Sequence, residues 1–189
     1  RFFANDDIAP DDMLQSHIEA TYSRLNAVPL VLAVQDTTEA NWTNLRVTEG
    51  LGPLGNSACH GLLVHTTLAI TPERVPLGLL AQQVWARDPD DIGKRARRKQ
   101  LPISQKESQK WLHSLDAVYT AHDCCPTTRL VSVGDREADV YDVLAAPRPA
   151  GGRFADSGRV GPVCPGGRTL CLGYCNRTTG GRPPPVEGA

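Results

Sequence analysis

Along roughly the first 150 residues, apolar and polar positions follow two periods, one suited to helices and one to strands. Pro10-Asp11-Asp12 opens a helix expected to run through about Asn26. Proline suits a first turn, and the two acids complement the positive end of the helix dipole. Met13, Leu14, His17, Ile18, Thr21 and Leu25 give this helix a semi-apolar stripe. Pro29 ends the connector. Leu30-Val31-Leu32-Ala33-Val34 is then a near-continuous apolar run of strand length, the pattern of a central strand covered on both faces. That run delivers Gln35-Asp36-Thr37-Thr38-Glu39 at its C-terminal end.

A Gly/Pro-rich loop, Gly50 to Gly55, precedes two further strand patterns, Leu62–Ile70 and Val75–Trp85. Thr71-Pro72-Glu73-Arg74 between them reads as a hairpin connection, and Pro76 suits a strand start or an edge. Ser104-x-x-Glu107 has the form of a capping box. It predicts a helix whose apolar residues Trp111, Leu112, Leu115, Val118 and Tyr119 share one face. After Cys124-Cys125-Pro126, Leu130-Val131-Ser132-Val133 forms a short strand. It ends at Gly134-Asp135-Arg136-Glu137-Ala138-Asp139, which runs into a helix carrying Val140, Val143 and Leu144. The order strand, strand, strand, helix, strand, helix predicts an α/β fold. A meander of three strands, followed by a helical crossover to a strand beside the first, is the ribonuclease-H-like arrangement.

Composition divides the chain. The net charge of −1 and pI near 6.6 give no whole-chain signal for nucleic acid or membrane, and no apolar run reaches the ~20 residues of a membrane span. Residues 1–150 carry a net charge of −4 and residues 151–189 a net of +3, with 10 of the 17 glycines in the latter. A segment so rich in Gly, Pro and Arg buries too little apolar surface to offset the entropy of ordering it. It reads either as a flexible terminus or as the product of a frame change in GC-rich coding DNA, and the abrupt switch favours the frame change. Cys59, Cys124 and Cys125 have no metal-ligand spacing. Cys164, Cys171 and Cys175 in the tail carry a weak zinc signal that no nearby His completes. Nothing implies disulfides, so a reducing cytoplasm is the expected compartment.

The chemistry rests on two aspartates. Asp36 and Asp135 end the first and fourth strands, 99 positions apart (135 minus 36). Paired carboxylates at one end of a sheet supply the hard oxygens that Mg²⁺ or Mn²⁺ prefers. Simpler roles stand beside this one: Asp135 as the N-cap of the next helix and Asp36 as an Asx turn. Glu137 and Asp139 suit a helix's first turn, with Arg136 as their partner. Lys94, Arg95, Arg97, Arg98 and Lys99 put five positive charges in six residues, either a solvated loop or a phosphate-binding patch. Trp42, Trp85 and Trp111 read as core or edge residues and His65 as structural. Neither a Walker A motif nor G-x-G-x-x-G occurs.

Leu32-Ala33-Val34-Gln35-Asp36-Thr37-Thr38 and Val131-Ser132-Val133-Gly134-Asp135-Arg136-Glu137-Ala138-Asp139-Val140-Tyr141 resemble the first and second acidic motifs of DDE transposases. The similar branch is the bacterial insertion-sequence group called IS-four, which includes the Tn-five transposase. Arg1-Phe2-Phe3-Ala4-Asn5, Gly50 to Gly55, His65 and Glu107-Ser108-x-Lys110-Trp111 resemble the same branch, so the likeness covers about residues 1–147. It implies an N-terminal helical segment over 1–28, a partial ribonuclease-H-like catalytic core over 29–147 with an incomplete mixed sheet and flanking helices, and a disordered or out-of-frame tail over 148–189. It also implies two divalent ions, Mg²⁺ or Mn²⁺, with Asp36 and Asp135 as catalytic and metal-binding acids.

The implied activity is cleavage and strand transfer at transposon ends. The implied partners are transposon and target DNA, and a second copy or a full-length transposase, with no membrane. The family's third acid is a Glu on a later helix, flanked by Tyr, Arg and Lys. No such constellation follows Glu137, because Glu187 lies in a Pro-rich stretch just before Gly188-Ala189. The chain alone is therefore expected to be an inactive fragment, truncated at its start, whose missing segments leave part of the core sheet uncovered. The alternative is a non-enzymatic DNA-binding remnant that uses Lys94–Lys99 to interfere with full-length transposase.

Overall fold

The computed structural model describes residues 5, 7–45, 47–55, 58–91, 101–147 and 153–156. Helix α1 is Pro10–Leu25, one residue shorter than its pattern predicts. Asp12 closes its first turn by accepting from Ala9 N at 3.0 Å, while Asp12 N donates to Ala9 O at 3.1 Å. The strands are β1 (Leu30–Asn41), β2 (Gly52–Pro53), β3 (His60–Ile70), β4 (Pro76–Trp85), β5 (Arg129–Gly134) and β6 (Arg153–Asp156). Helix α2 (Gln109–Cys124) joins β4 to β5, and the short α3 (Tyr141–Ala145) lies between β5 and β6.

These strands form one mixed sheet. β1, β3 and β4 make an antiparallel meander, β2 pairs the start of β3, β5 runs parallel to β1, and β6 runs parallel to β5. Four residues of the segment that composition sets apart, Arg153–Asp156, thus extend the sheet past the composition break. The rest of residues 148–189 and Arg1–Ala4 lie outside the described residues.

β1 is longer than its apolar run, so Asp36 sits within the strand and not at its end. The cause is its two different neighbours. Parallel pairing with β5 stops at Val34↔Val133, whereas antiparallel pairing with β3 continues to Asn41↔Gly61. The starts of β1 and β5 are tied together. Arg129 N donates to Pro29 O at 3.0 Å, and the buried Thr128 hydroxyl lies 2.7 Å from Leu25 O and 3.0 Å from Val28 O.

One face of the sheet holds the core. Val31, Ala33, Ala69, Leu80 and Leu130 pack against Leu25 of α1 and Val118 and Ala121 of α2. Each large aliphatic side chain buried there contributes about 1.5–3 kcal/mol. A second cluster, Trp111, Leu115, Ala138 and Val143, fastens α2 to the turn after β5. The opposite face carries Leu32, Val34, Val64, Leu68 and Val131, all half-buried, and no described helix packs there. The two-sided cover expected for β1 is one-sided among the described residues. Both crossovers, β4 to β5 and β5 to β6, step across the sheet in one direction, and crossovers of one hand then fall on one face.

The capping box does not start α2. Ser104 lies in a single 3-10 turn, Ile103–Gln105, and the helix begins four residues later behind Ser108. Glu107 is drawn instead to Arg87 just beyond β4, accepting from Nε at 2.6 Å and from Nη2 at 3.0 Å. A bidentate charged pair outweighs a single backbone cap. The helix expected after Asp135 also starts late: a 3-10 turn, Arg136–Ala138, intervenes before α3. No described helix is long and apolar enough to cross a membrane.

α1 meets β4 at Gly78, where φ is +144° and the strand bulges. His17 Nε2 accepts from Leu79 N at 3.0 Å, and Arg24 Nη1 donates to Leu77 O at 2.7 Å. A Cβ on Gly78 would overlap Thr21 Oγ1 and lie 3.1 Å from both Arg24 Nη1 and His17 Nε2. Gly78→Ala is therefore expected to destabilise the fold by about 3 kcal/mol, combining backbone strain with loss of the α1 contact. Urea unfolding of the two proteins measures it, and a difference under about 1 kcal/mol contradicts this role.

Candidate metal centre

Asp36 and Asp135 are placed by strand register. Val34 pairs with Val133 in the parallel ladder, and each aspartate lies two residues farther along its own strand direction. Both are exposed. Just before them, the buried Gln35 Nε2 donates to Ser132 Oγ at 2.6 Å, linking the strands on the core side. Gly134 lets the chain turn tightly there, because a Cβ would lie 2.6 Å from Ala138 Cβ and 3.3 Å from Trp111 Cζ3.

The simpler roles divide between the two. Asp135 is an N-cap: its Oδ1 accepts from Glu137 N at 2.9 Å and closes the 3-10 turn. Asp36 is not an Asx turn, since it continues the β1 ladder opposite Thr66. Long antiparallel pairing overrides the local turn preference of Asp-Thr-Thr.

Behind the aspartates, on the core face, lies His65. It is fully buried, with Nδ1 2.8 Å from Thr37 Oγ1 and its ring edge-on to Trp111 at a centroid distance of 4.6 Å. Burial first and Lys110 second lower its pKa to about 4, against the opposing pull of Asp36 and Asp135. Its Nε2 and Thr67 Oγ1 are buried and have no hydrogen-bond partner among the described residues. His65 is thus a neutral core residue at neutral pH.

Lys110 was not singled out by sequence pattern as a member of this neighbourhood. Its Nζ lies 3.3 Å from Glu137 Oε2 and sits over the Trp85 and Trp111 rings at 5.9 and 5.4 Å. Only the fold brings β4 and the first turn of α2 close enough to hold it so. Arg87 is likewise engaged by Glu107, and by Glu39 at 3.7 Å, whose Oε1 also accepts from Gly55 N at 2.9 Å. Both cations serve other carboxylates, which leaves the charge of Asp36 and Asp135 without an ion-pair partner among the described residues.

The donor set suits one hydrated divalent ion. Mg²⁺ commonly binds through one or two carboxylates and keeps several waters. No group of three or more His, Cys, Asp or Glu placed to hold a metal occurs among the described residues. Glu137 is turned to Lys110, and Asp139 is exposed beyond the 3-10 turn. Cys59, Cys124 and Cys125 are free thiols. The basic residues Lys94, Arg95, Arg97, Arg98 and Lys99, and the tail residues Cys164, Cys171 and Cys175, lie outside the described residues. A comparison with protein-family models returns no match, and neither does a comparison with curated protein sequences.

The buried His65 has a consequence for stability. Its pKa is about 4 in the fold against 6.5 when unfolded, so its contribution is complete above pH 6.5 and is lost as pH falls toward 4. Between pH 7 and pH 5 the unfolded chain gains the proton first, and this group alone costs about 2 kcal/mol. Denaturant melts across that range should show the slope, and His65→Gln should remove it. A slope unchanged in the variant would mean that other groups carry it.

Proposed function

We propose that this chain is a partial DDE transposase core, ribonuclease-H-like in topology, holding two of the three acids that DNA strand cleavage and transfer require. The supporting observation is the parallel register, whose last pair Val34↔Val133 is followed two residues later by Asp36 within β1 and by Asp135 just past β5. The strand order adds support. Three antiparallel strands in sequence, a helical crossover to the far side of the first, and a further parallel strand follow the arrangement expected for that core.

In this reading Asp36 and Asp135 would hold a single Mg²⁺ or Mn²⁺, with Gln35–Ser132 fixing the strands beneath them. Two such ions together serve to activate a water or a 3′-hydroxyl and to stabilise the leaving oxygen of a phosphodiester. With one ion site and no third acid, the chain binds metal weakly and does not transpose DNA. Asp135 keeps its place through the Glu137 N–H bond, and Lys110 holds Glu137 aside. A frame change near residue 150 remains part of this reading, and Arg153–Asp156 pair with β5 beyond that point.

Titration of the chain with Mn²⁺, followed by electron paramagnetic resonance, is expected to show one weak site. Asp36→Asn and Asp135→Asn should each weaken it about tenfold or more, because each removes one of two charged ligands. Duplex DNA incubated with the chain and Mg²⁺ is expected to stay intact. Binding indifferent to both substitutions, or efficient cleavage, would refute the proposal. Sequencing the coding DNA beyond residue 140 and translating all three frames gives an independent check. The reading expects a Tyr-Arg-Glu-Lys constellation in another frame.

A further inference from the structure

We propose that the core between β3 and α2 holds one buried water molecule, bound by His65, Thr67 and Ser114. Two of these groups have no partner of their own. His65 and Thr67 are fully buried, and His65 Nε2 and Thr67 Oγ1 make no hydrogen bond among the described residues. A buried polar group left dry and unpaired is destabilising, and internal waters sit against such groups.

The topology brings the three together. His65 and Thr67 are two apart on β3 and so face the core side by side, about 6.8 Å apart along the strand. β4 and β5 both run antiparallel to β3 in direction, so the crossover helix α2 between them returns along β3. In its first turn, Trp111 meets the His65 ring edge-on at 4.6 Å. Ser114 comes one turn later on the same helix face, as Thr67 comes one step later on the strand. Ser114 is fully buried, and its Oγ accepts from Gln83 Nε2 at 3.3 Å. Gln83 is the β4 residue paired with His65, which sets Ser114 beside the same site. A serine hydroxyl that accepts one bond still has its own proton to give.

Small neighbours leave the room that a water needs. Thr67 stands between Gln35 of β1 and Ala81 of β4, with Ala69 next on its face. Gln35 is turned away to Ser132 at 2.6 Å. Farther along, Ala69 and Val118 close the site with apolar surface.

The chemistry selects water over an ion. Thr37 engages His65 Nδ1 at 2.8 Å, so Nε2 carries either a proton or a lone pair according to tautomer. Water answers both, and it can give to one hydroxyl while taking from the other. An ion would be buried against two hydroxyls and a neutral imidazole with no counter-charge among them, at a far greater cost. Three partners is the usual number for an internal water. Its bonds tie β3 to the helix whose first turn carries Lys110. Neither aspartate nor DNA enters this inference, so it stands or falls apart from the transposase reading.

Magnetic relaxation dispersion of the water oxygen, measured on the whole chain, counts long-lived internal waters without interference from exchanging hydroxyl protons. Thr67→Val combined with Ser114→Ala leaves a single partner and is expected to lower the amplitude by the equivalent of one water. Thr67→Ser keeps the hydroxyl and should retain the full amplitude. Urea unfolding supplies a second reading. Thr67→Val alone should lower the folding equilibrium constant about tenfold, because it leaves the water and its other partners short of a bond. A dry Thr67 hydroxyl demands the opposite, since valine would then relieve an unpaired group and raise the midpoint. Circular dichroism establishes that each variant is folded. An amplitude unchanged in the double variant overturns the proposal, and so does a Thr67→Val chain more stable than the parent. If the double variant does not fold, Thr67→Val and Ser114→Ala taken singly decide by the same two readings.

Discussion

Parallel pairing of β1 with β5 is the constraint on which the rest of this structure depends. It joins segments about a hundred residues apart, an ordering whose entropy cost must be met by everything packed around it. The Thr128 hydroxyl and Arg129 N–H hold the start of the ladder, and Gln35–Ser132 holds its far end. A slip of one residue would send Asp36 and Asp135 to opposite faces and would break the buried Gln35–Ser132 bond. The candidate metal centre is therefore a product of register more than of any local motif.

The two faces of the sheet have different physical character. On one, aliphatic residues from four strands and two helices close a core beside His65, which is kept neutral by burial first and by Lys110 second. On the other, aliphatic residues of the same strands remain half-exposed, and Asp36 stands at their margin. The near-continuous Leu30–Val34 run is the pattern of a strand with apolar neighbours on both faces. The crossover geometry supplies cover for one. The second cluster around Trp111 fastens α2 to the turn at Asp135, because it packs Ala138 and Val143 against α2 while leaving Asp135 exposed.

Much of the element order was legible in the chain itself. The apolar runs at Leu30–Val34 and Leu62–Ile70 and the helical stripe from Trp111 to Tyr119 each mark an element that forms, because burial enforces periods that show in sequence. The boundaries were less legible where two local preferences competed. Ser104 and Glu107 have the spacing of a cap, yet Glu107 is taken by Arg87 from twenty residues away. Asp36-Thr37-Thr38 has turn chemistry, yet β3 offers a ladder that extends the strand through it. Composition likewise marks residue 150 as a break, while β5 offers an open edge that Arg153–Asp156 fill.

What the sequence determined by itself was the helices α1 and α2, the strands β1, β3, β4 and β5, and an aspartate within β1 and another just past β5, since these follow from residue types and spacing. Tertiary structure decided which aspartates share a neighbourhood, that Lys110 is held between two indoles and Glu137, and which face of the sheet the described helices cover. Those outcomes depend on pairing between distant strands. Local pattern specifies which face of a strand is apolar, but only the register and the hand of the crossovers specify what comes to lie against it.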